Sequence, residues 1–258
     1  MNESVKYEVK GMTAIITMNR PKSLNSMSLD LVEGMIEALK KVSASEDIRV
    51  AVITGEGRAF SAGGDLASLD GLHNVEERKA FIAKVGNVVK VIHDMEKPVI
   101  AMVNGVAAGA GFNLAIACDL CYAADNVKFI QSFVIVGLSP DCGGFYYLAK
   151  TVGMAKAKEL MFTARPVSAV EAKELGLVND VFSAEDLSEK VLAIAEKIGR
   201  TAPMAIAMTK KGINDYTASL EETLNFEANA SSMLLGTEDF QEGVTAFKEK
   251  RNPVFKGK

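Results

Sequence analysis

Val99-Ile100-Ala101-Met102-Val103 runs directly into Asn104-Gly105-Val106-Ala107-Ala108-Gly109-Ala110-Gly111-Phe112. The first five residues are a short apolar run opened by Pro98, the pattern of a buried strand. The glycines that follow leave main-chain N–H groups free of bulky neighbours. A helix predicted from about Gly109 to Cys121 points its unpaired N–H groups and positive dipole end back at that turn, which makes an anion site. No G-x-G-x-x-G followed by an acidic residue and no G-K-[ST] is present, so dinucleotide and P-loop readings fall away.

A second turn of the same kind lies upstream, Ala59-Phe60-Ser61-Ala62-Gly63-Gly64-Asp65-Leu66, after the β-branched strand Val50–Thr54. Strand, glycine turn and helix recur, so parallel βα units and an α/β fold are expected. Brought together, the two turns would aim a pair of backbone donors at one oxygen. That is how a carbonyl becoming an enolate is stabilised.

Further out, Ala14–Met18 reads as a buried strand. Ser28 caps a helix carrying Leu31, Val32, Met35, Ile36, Leu39 and Val42 at helical spacing. An amphipathic stretch covers about Val75 to Met95, and short strands are expected near Lys128–Phe129 and Val178–Phe182. Ser183 and Asp186 have the spacing of a capping box. From Pro203 onward there is no strand signal, and three helices are expected. The division is therefore an α/β core over residues 1–200 and a helical region over 201–258.

The 258 residues carry a net charge of −4, with 48% hydrophobic and 24% charged residues. This is an ordinary globular composition without a polyanion-binding field, so nucleic acid is not an expected partner. No run approaches the ~18 apolar residues of a membrane span, and the chain starts without an apolar leader, so a cytoplasmic protein is expected. Cys118, Cys121 and Cys142 form no disulfide framework. Cys118-x-x-Cys121 sits in an apolar run expected to be helical, with no second pair, so no metal site is expected. His73 and His93 are isolated, no G-x-S-x-G elbow is present, and Asp119 is read as structural.

Together and in this order, the two turns resemble those of the enoyl-CoA hydratase/isomerase (crotonase) family. The resemblance runs from Asn19-Arg20-Pro21-Lys22-Ser23-Leu24-Asn25 to Phe247-Lys248-Glu249-Lys250-Arg251. It implies a ββα spiral core with a helical C-terminal oligomerisation region, as a homotrimer or a dimer of trimers. It implies an acyl-CoA thioester as substrate, with coenzyme A entering as part of that substrate and no separate cofactor. The N–H groups of Gly64 and Ala110 would hold the thioester oxygen. Lys22, Ser23 and Leu24 would line the CoA path, while Ala62, Asp65 and Leu66 would help hold its adenine and pantetheine parts. Phe247 and Lys250 would reach CoA from a neighbouring subunit.

The departures from the family pattern are informative. A hydratase of this family carries two glutamates where this sequence has Asn113 and Phe133. An amide carries protons poorly and a phenyl ring not at all. One carboxylate does occur a few residues on, in Gly137-Leu138-Ser139-Pro140-Asp141-Cys142-Gly143-Gly144. This pattern, with Ala108-Gly109-Ala110-Gly111-Phe112-Asn113-Leu114, resembles the isomerase branch typified by the phenylacetate-pathway enoyl-CoA isomerase. That branch uses an aspartate here as its single acid/base group. The expected function is a 3-enoyl to 2-enoyl shift by Asp141, in a pocket lined by Asn113, Phe133, Phe145 and Tyr146. A hydratase using Asp141 with an unorthodox partner, and a non-catalytic acyl-CoA binding protein, are the alternatives.

Overall fold

The computed structural model describes residues 3–215 and 219–258. The chain opens with β1 (Val5–Lys10) and β2 (Thr13–Met18), followed by α1 (Leu29–Ala44), β3 (Val50–Gly55) and β4 (Ala59–Ser61). Next come α2 (Leu66–Asp70), α3 (Val75–Asp94), β5 (Val99–Val103), β6 (Val106–Ala108) and α4 (Ala110–Ala117). The core continues through β7 (Leu120–Ala124), β8 (Lys128–Ile130), α5 (Gly144–Thr163), β9 (Val167–Ser168), α6 (Ala169–Glu174), β10 (Asp180–Phe182) and α7 (Leu187–Gly199). Three helices end the chain, α8 (Pro203–Asn214), α9 (Leu220–Leu235) and α10 (Glu238–Glu249).

Two sheets result. The larger has the order β1-β2-β3-β5-β7-β10, antiparallel at β1–β2 and parallel elsewhere; the smaller has the order β4-β6-β8-β9. Successive strand pairs β3/β4, β5/β6 and β7/β8 each place their first strand in the larger sheet and their second in the smaller. The chain thus winds as a ββα spiral. The central strands β3 and β5 are buried along their whole length, as expected of a parallel sheet covered on both faces. The smaller sheet carries the two glycine turns side by side, because β4 and β6 are neighbours.

Helix α1 buries the stripe Leu31, Val32, Met35, Leu39 and Val42, and Ser28 caps it by accepting from the Leu31 N–H. Helix α3 buries Phe81, Val85, Val88, Val89 and Ile92. The helix after the second glycine turn is shorter than its apolar run suggests. It ends at Ala117, and Cys121 lies on β7, so the Cys118–Cys121 run is a helix end and a strand rather than one helix. The reason is local: the Asp119 carboxylate accepts from the Val99 N–H (2.7 Å), turning the chain into strand pairing with β5. Ser183 likewise does not cap α7. Its hydroxyl accepts from Asp186 N–H one turn upstream (3.1 Å), and Asp186 itself is the residue before the helix.

Candidate active site

The first glycine turn is fastened from both sides. Ala62 N–H donates to the Leu24 carbonyl (2.9 Å), and Met27 N–H to the Gly63 carbonyl (2.8 Å). Gly63 takes φ +96°, a conformation that costs a residue with a Cβ. Asp65 caps α2 by accepting from Ser68 N–H (3.3 Å), and its other oxygen accepts from Arg20 (2.7 Å) and Ser26 (3.1 Å). Burial alone would raise the Asp65 pKa. Arg20 and the hydrogen bonds from Ser68 and Ser26 outweigh it and hold the carboxyl below its ordinary value.

The second turn hangs on β8 through Gly109 N–H to the Ile130 carbonyl (2.8 Å). Helix α4 starts at Ala110, and a methyl on Gly111 would lie 2.4 Å from the Ser61 carbonyl oxygen. Only glycine lets α4 pack this close to β4. The turns themselves touch: a methyl on Gly63 would lie 2.7 Å from the Ala108 oxygen and 3.3 Å from the Ala110 nitrogen. Neither the Gly64 nor the Ala110 N–H donates to an acceptor among the described residues.

Both of those residues line one cavity of about 160 Å³, and Asp141 lines it as well. Its apolar wall comes from Leu66, Leu69, Phe81, Ile82, Val85, Phe133, Ile135, Val136 and Leu138. Asp141 is the sole ionisable side chain among the lining residues, and its Oδ1 is buried with no hydrogen-bond partner. Burial without a compensating charge pushes the carboxyl up to about 6. A carboxylate in that range can both take and return a proton near neutral pH.

Of the residues singled out from sequence, Gly64, Ala110, Asp141, Ala62, Leu66 and Phe133 meet in this cavity. Leu24 is joined to Ala62, while Lys22 and Ser23 sit on the 3₁₀ turn Pro21–Ser23 just before it. Asp65 is not among the lining residues; its oxygens are spent on the α2 cap, Arg20 and Ser26. Asn113 stands outside it, fully buried behind Asp141. Phe145 (61% exposed) and Tyr146 (41% exposed) also stand outside, and Tyr146 hydroxyl accepts from Lys150 (2.7 Å). Phe247 (85% exposed) and Lys250 end α10, away from the cavity of their own chain.

Sequence reasoning passed over Leu69 of α2, Phe81, Ile82 and Val85 of α3, and Ser132, Ile135, Val136 and Leu138 around the turn after β8. The usable signal was Val134-Ile135-Val136-Gly137-Leu138, an apolar run that the fold leaves at the surface. Among the described residues there is no metal-binding cluster of His, Cys, Asp and Glu, and no helix is long and apolar enough to cross a membrane.

A protein-family model described as enoyl-CoA hydratase/isomerase matches residues 8–258. The short-chain-enoyl-CoA hydratase of Clostridium acetobutylicum is 37% identical over 96% of this chain and 95% of its own length. The trans-2-decenoyl-[acyl-carrier-protein] isomerase of Streptococcus mutans is 30% identical over 99% of both chains. The crystal structure of an enoyl-CoA hydratase from Bacillus anthracis superposes with a TM-score of 0.95 at 34% identity, covering 99% of this chain and 100% of that one. On fold, turn geometry and these likenesses, the chain belongs to the enoyl-CoA hydratase/isomerase family.

Proposed function

We propose that the protein is an isomerase of acyl-CoA thioesters that moves a double bond from the 3 to the 2 position. The observation that carries this reading is the lone carboxylate: Asp141, its Oδ1 buried without a partner, lines the cavity shared by two free amides, with no second acid or base in the lining. The Asp141 carboxylate takes a proton from C2 of a 3-enoyl thioester, and the electron pair moves onto the thioester oxygen. The N–H groups of Gly64 and Ala110 hold that dienolate oxygen. The carboxylic acid then returns the proton to C4, giving the 2-enoyl thioester with Asp141 ionised again. Each such backbone donor is worth about 2.7–4 kcal/mol of transition-state stabilisation. The reaction needs no water, and the apolar wall keeps it out.

Water addition would need a second group to activate the nucleophile. At the two positions where family hydratases place glutamates, this chain has the Asn113 amide, sealed away from the cavity, and the Phe133 ring. Most relatives carry hydratase names, so hydration is the outcome the test must separate. A panel of 3-enoyl- and 2-enoyl-CoA thioesters incubated in deuterated water, with products read by mass, does so. A 2-enoyl product formed without the mass gain of water is expected, and its deuterium content at C4 reports how far the proton on Asp141 exchanges with solvent before it is returned. Fast hydration without the shift would overturn the proposal.

The same reading takes Lys22–Leu24 as the edge of the CoA path, leading to Ala62. It also takes the C-terminal helices as the assembly surface of a homotrimer or dimer of trimers. Helix α9 has no buried residue, and Leu220, Leu224, Met233 and Leu235 are exposed along it, as is Phe247 on α10. Sedimentation giving a monomer at micromolar concentration would remove that part, and with it the role of Phe247 and Lys250 at a neighbour's CoA.

A further inference from the structure

We propose that Asn113 and Gln131 are positioning residues, a two-amide relay that registers the acid Asp141 against the oxyanion donor Ala110. The proposal rests on the reading of Asp141 as the acid/base group. Asn113 lies in the first turn of α4, the turn that begins with Ala110. Its Nδ2 donates to the Asp141 main-chain carbonyl (2.8 Å), and its Oδ1 accepts from Gln131 Nε2 (2.7 Å). Both side chains are buried, Asn113 completely. One rigid helical turn therefore carries the donor at one position and the grip on the acid at another.

The polarity of the relay is fixed by chemistry. The Asp141 carbonyl can only accept, so Asn113 must present its amino group there and its oxygen to Gln131. A carboxylate at residue 113 would set oxygen against oxygen. The family's glutamate position is thus used here to aim the other acid.

Two independent features agree. A methyl on Gly144 would lie 2.4 Å from Asn113 Nδ2, so glycine there leaves room for the contact. Cys142, next to the acid, has φ +50°, a left-handed conformation that a residue with a Cβ holds only when its surroundings impose it. The Asp141 carbonyl, bonded by Asn113 and by Gly144 N–H (2.9 Å), supplies that restraint.

The test uses full-length protein with Asn113→Leu and Gln131→Met, which keep bulk and remove the amides. Two readouts are taken: kcat and KM on a 3-enoyl-CoA, and titration of Asp141 by carboxyl ¹³C NMR in the ligand-free protein, assigned with Asp141→Asn. Cys142 Sγ turns away to the Val85 carbonyl (3.8 Å), so the titration reports how well water reaches the Asp141 carboxylate. A loosened acid swings toward solvent. For Asn113→Leu, kcat is expected to fall on the order of a hundredfold, since ~1 Å of misplacement costs that much, with KM within about threefold. The Asp141 midpoint is expected to drop by about one unit. For Gln131→Met, which leaves Asn113 free to rotate, about a tenfold loss of kcat and a smaller drop are expected. If both variants keep the Asp141 midpoint within roughly 0.3 unit and kcat within about twofold, the relay is refuted. If Asp141→Asn isomerises like the parent, the acid/base reading fails instead, and the titration alone still decides whether the relay holds the carboxylate.

Discussion

Where the C-terminal helices meet the core, Lys210 Nζ donates to the carbonyls of Ile92 (2.8 Å) and Lys97 (3.1 Å) and to Asp119 (2.7 Å). In the cavity lined by Gly64 and Ala110, the Asp141 carboxylate has one oxygen buried with no partner. Both charges are withdrawn from water. Lys210, with its side chain 7% exposed, has every proton satisfied and so clips α8 to the core. Asp141 is left under tension, and its pKa rises to about 6 as a result. A saturated buried charge serves the fold; an unsaturated one facing a cavity is available for chemistry.

The largest effect expected from this contrast is on rate. Asp141→Asn keeps the shape and removes the proton carrier, so isomerisation should fall by about a thousandfold or more, near the upper range for a general acid/base. Binding of a saturated acyl-CoA, which needs the two amides but no proton transfer, should change less than about fivefold. Steady-state kinetics beside calorimetric titration measures both. A variant that loses binding and rate together would erase the contrast, because Asp141 would then be holding the site's shape.

Next comes stability, with opposite signs for the two charges. Lys210→Met leaves two carbonyls and the Asp119 carboxylate short of a donor. Because the Asp119 side chain is 22% exposed, water recovers part of the loss. A cost of about 2–3 kcal/mol is expected in urea melts. Asp141→Asn should instead stabilise. Its folded pKa of about 6 lies above the ordinary carboxylate range, so the native state holds the proton more tightly than the unfolded chain. Stability from this group is therefore greatest below pH ~4 and falls as pH rises to ~6, then stays flat. With partial solvation discounted, the neutral amide should gain about 1–2 kcal/mol at pH 7 and flatten the pH 4–6 slope relative to the parent. A parent and variant with parallel slopes in that window would mean Asp141 is not desolvated.

The same contrast marks what a sequence can disclose. The strands Ala14–Met18, Val50–Thr54 and Val99–Val103 were legible because parallel strands buried on both faces are written as unbroken apolar runs. The edge strand β1 is written differently, alternating Val5, Tyr7 and Val9 with Lys6, Glu8 and Lys10, and a search for apolar runs passes over it. The turns were legible from their glycines, and the positions of Gly64, Ala110 and Asp141 followed from the resemblance. The roles of Asn113 and Lys210 were not. An amide or an amine shows its type in the sequence, but whether it meets water, a substrate or a carbonyl depends on partners far along the chain. Gln131 lies 18 residues from Asn113 in sequence, and Ile92 lies 118 from Lys210. The cavity wall from α3 was hidden for a related reason, since Phe81 and Val85 look like any core stripe.

The smallest expected effects are at Phe145 and Tyr146, which sequence placed in the acyl pocket. They lie in the first turn of α5, where Gly143 N-caps the helix in the left-handed conformation. Phe145 points to solvent, and Tyr146 is engaged by Lys150 through both its hydroxyl and its ring, with Nζ 4.0 Å from the ring centroid. Neither touches the space between Gly64, Ala110 and Asp141, so Phe145→Ala and Tyr146→Phe should leave kcat/KM within about twofold for short acyl chains. Phe133→Ala enlarges the cavity beside Gly109, where its ring lies 3.6 Å from the position a methyl would take. It should cost more than either, and shift preference toward bulkier acyl groups. The series is read as relative kcat/KM across acyl lengths. If Phe145→Ala altered chain-length preference as strongly as Phe133→Ala, the acyl group would have to run past α5, and the cavity drawn by the two amides and the acid would be only the inner half of the site.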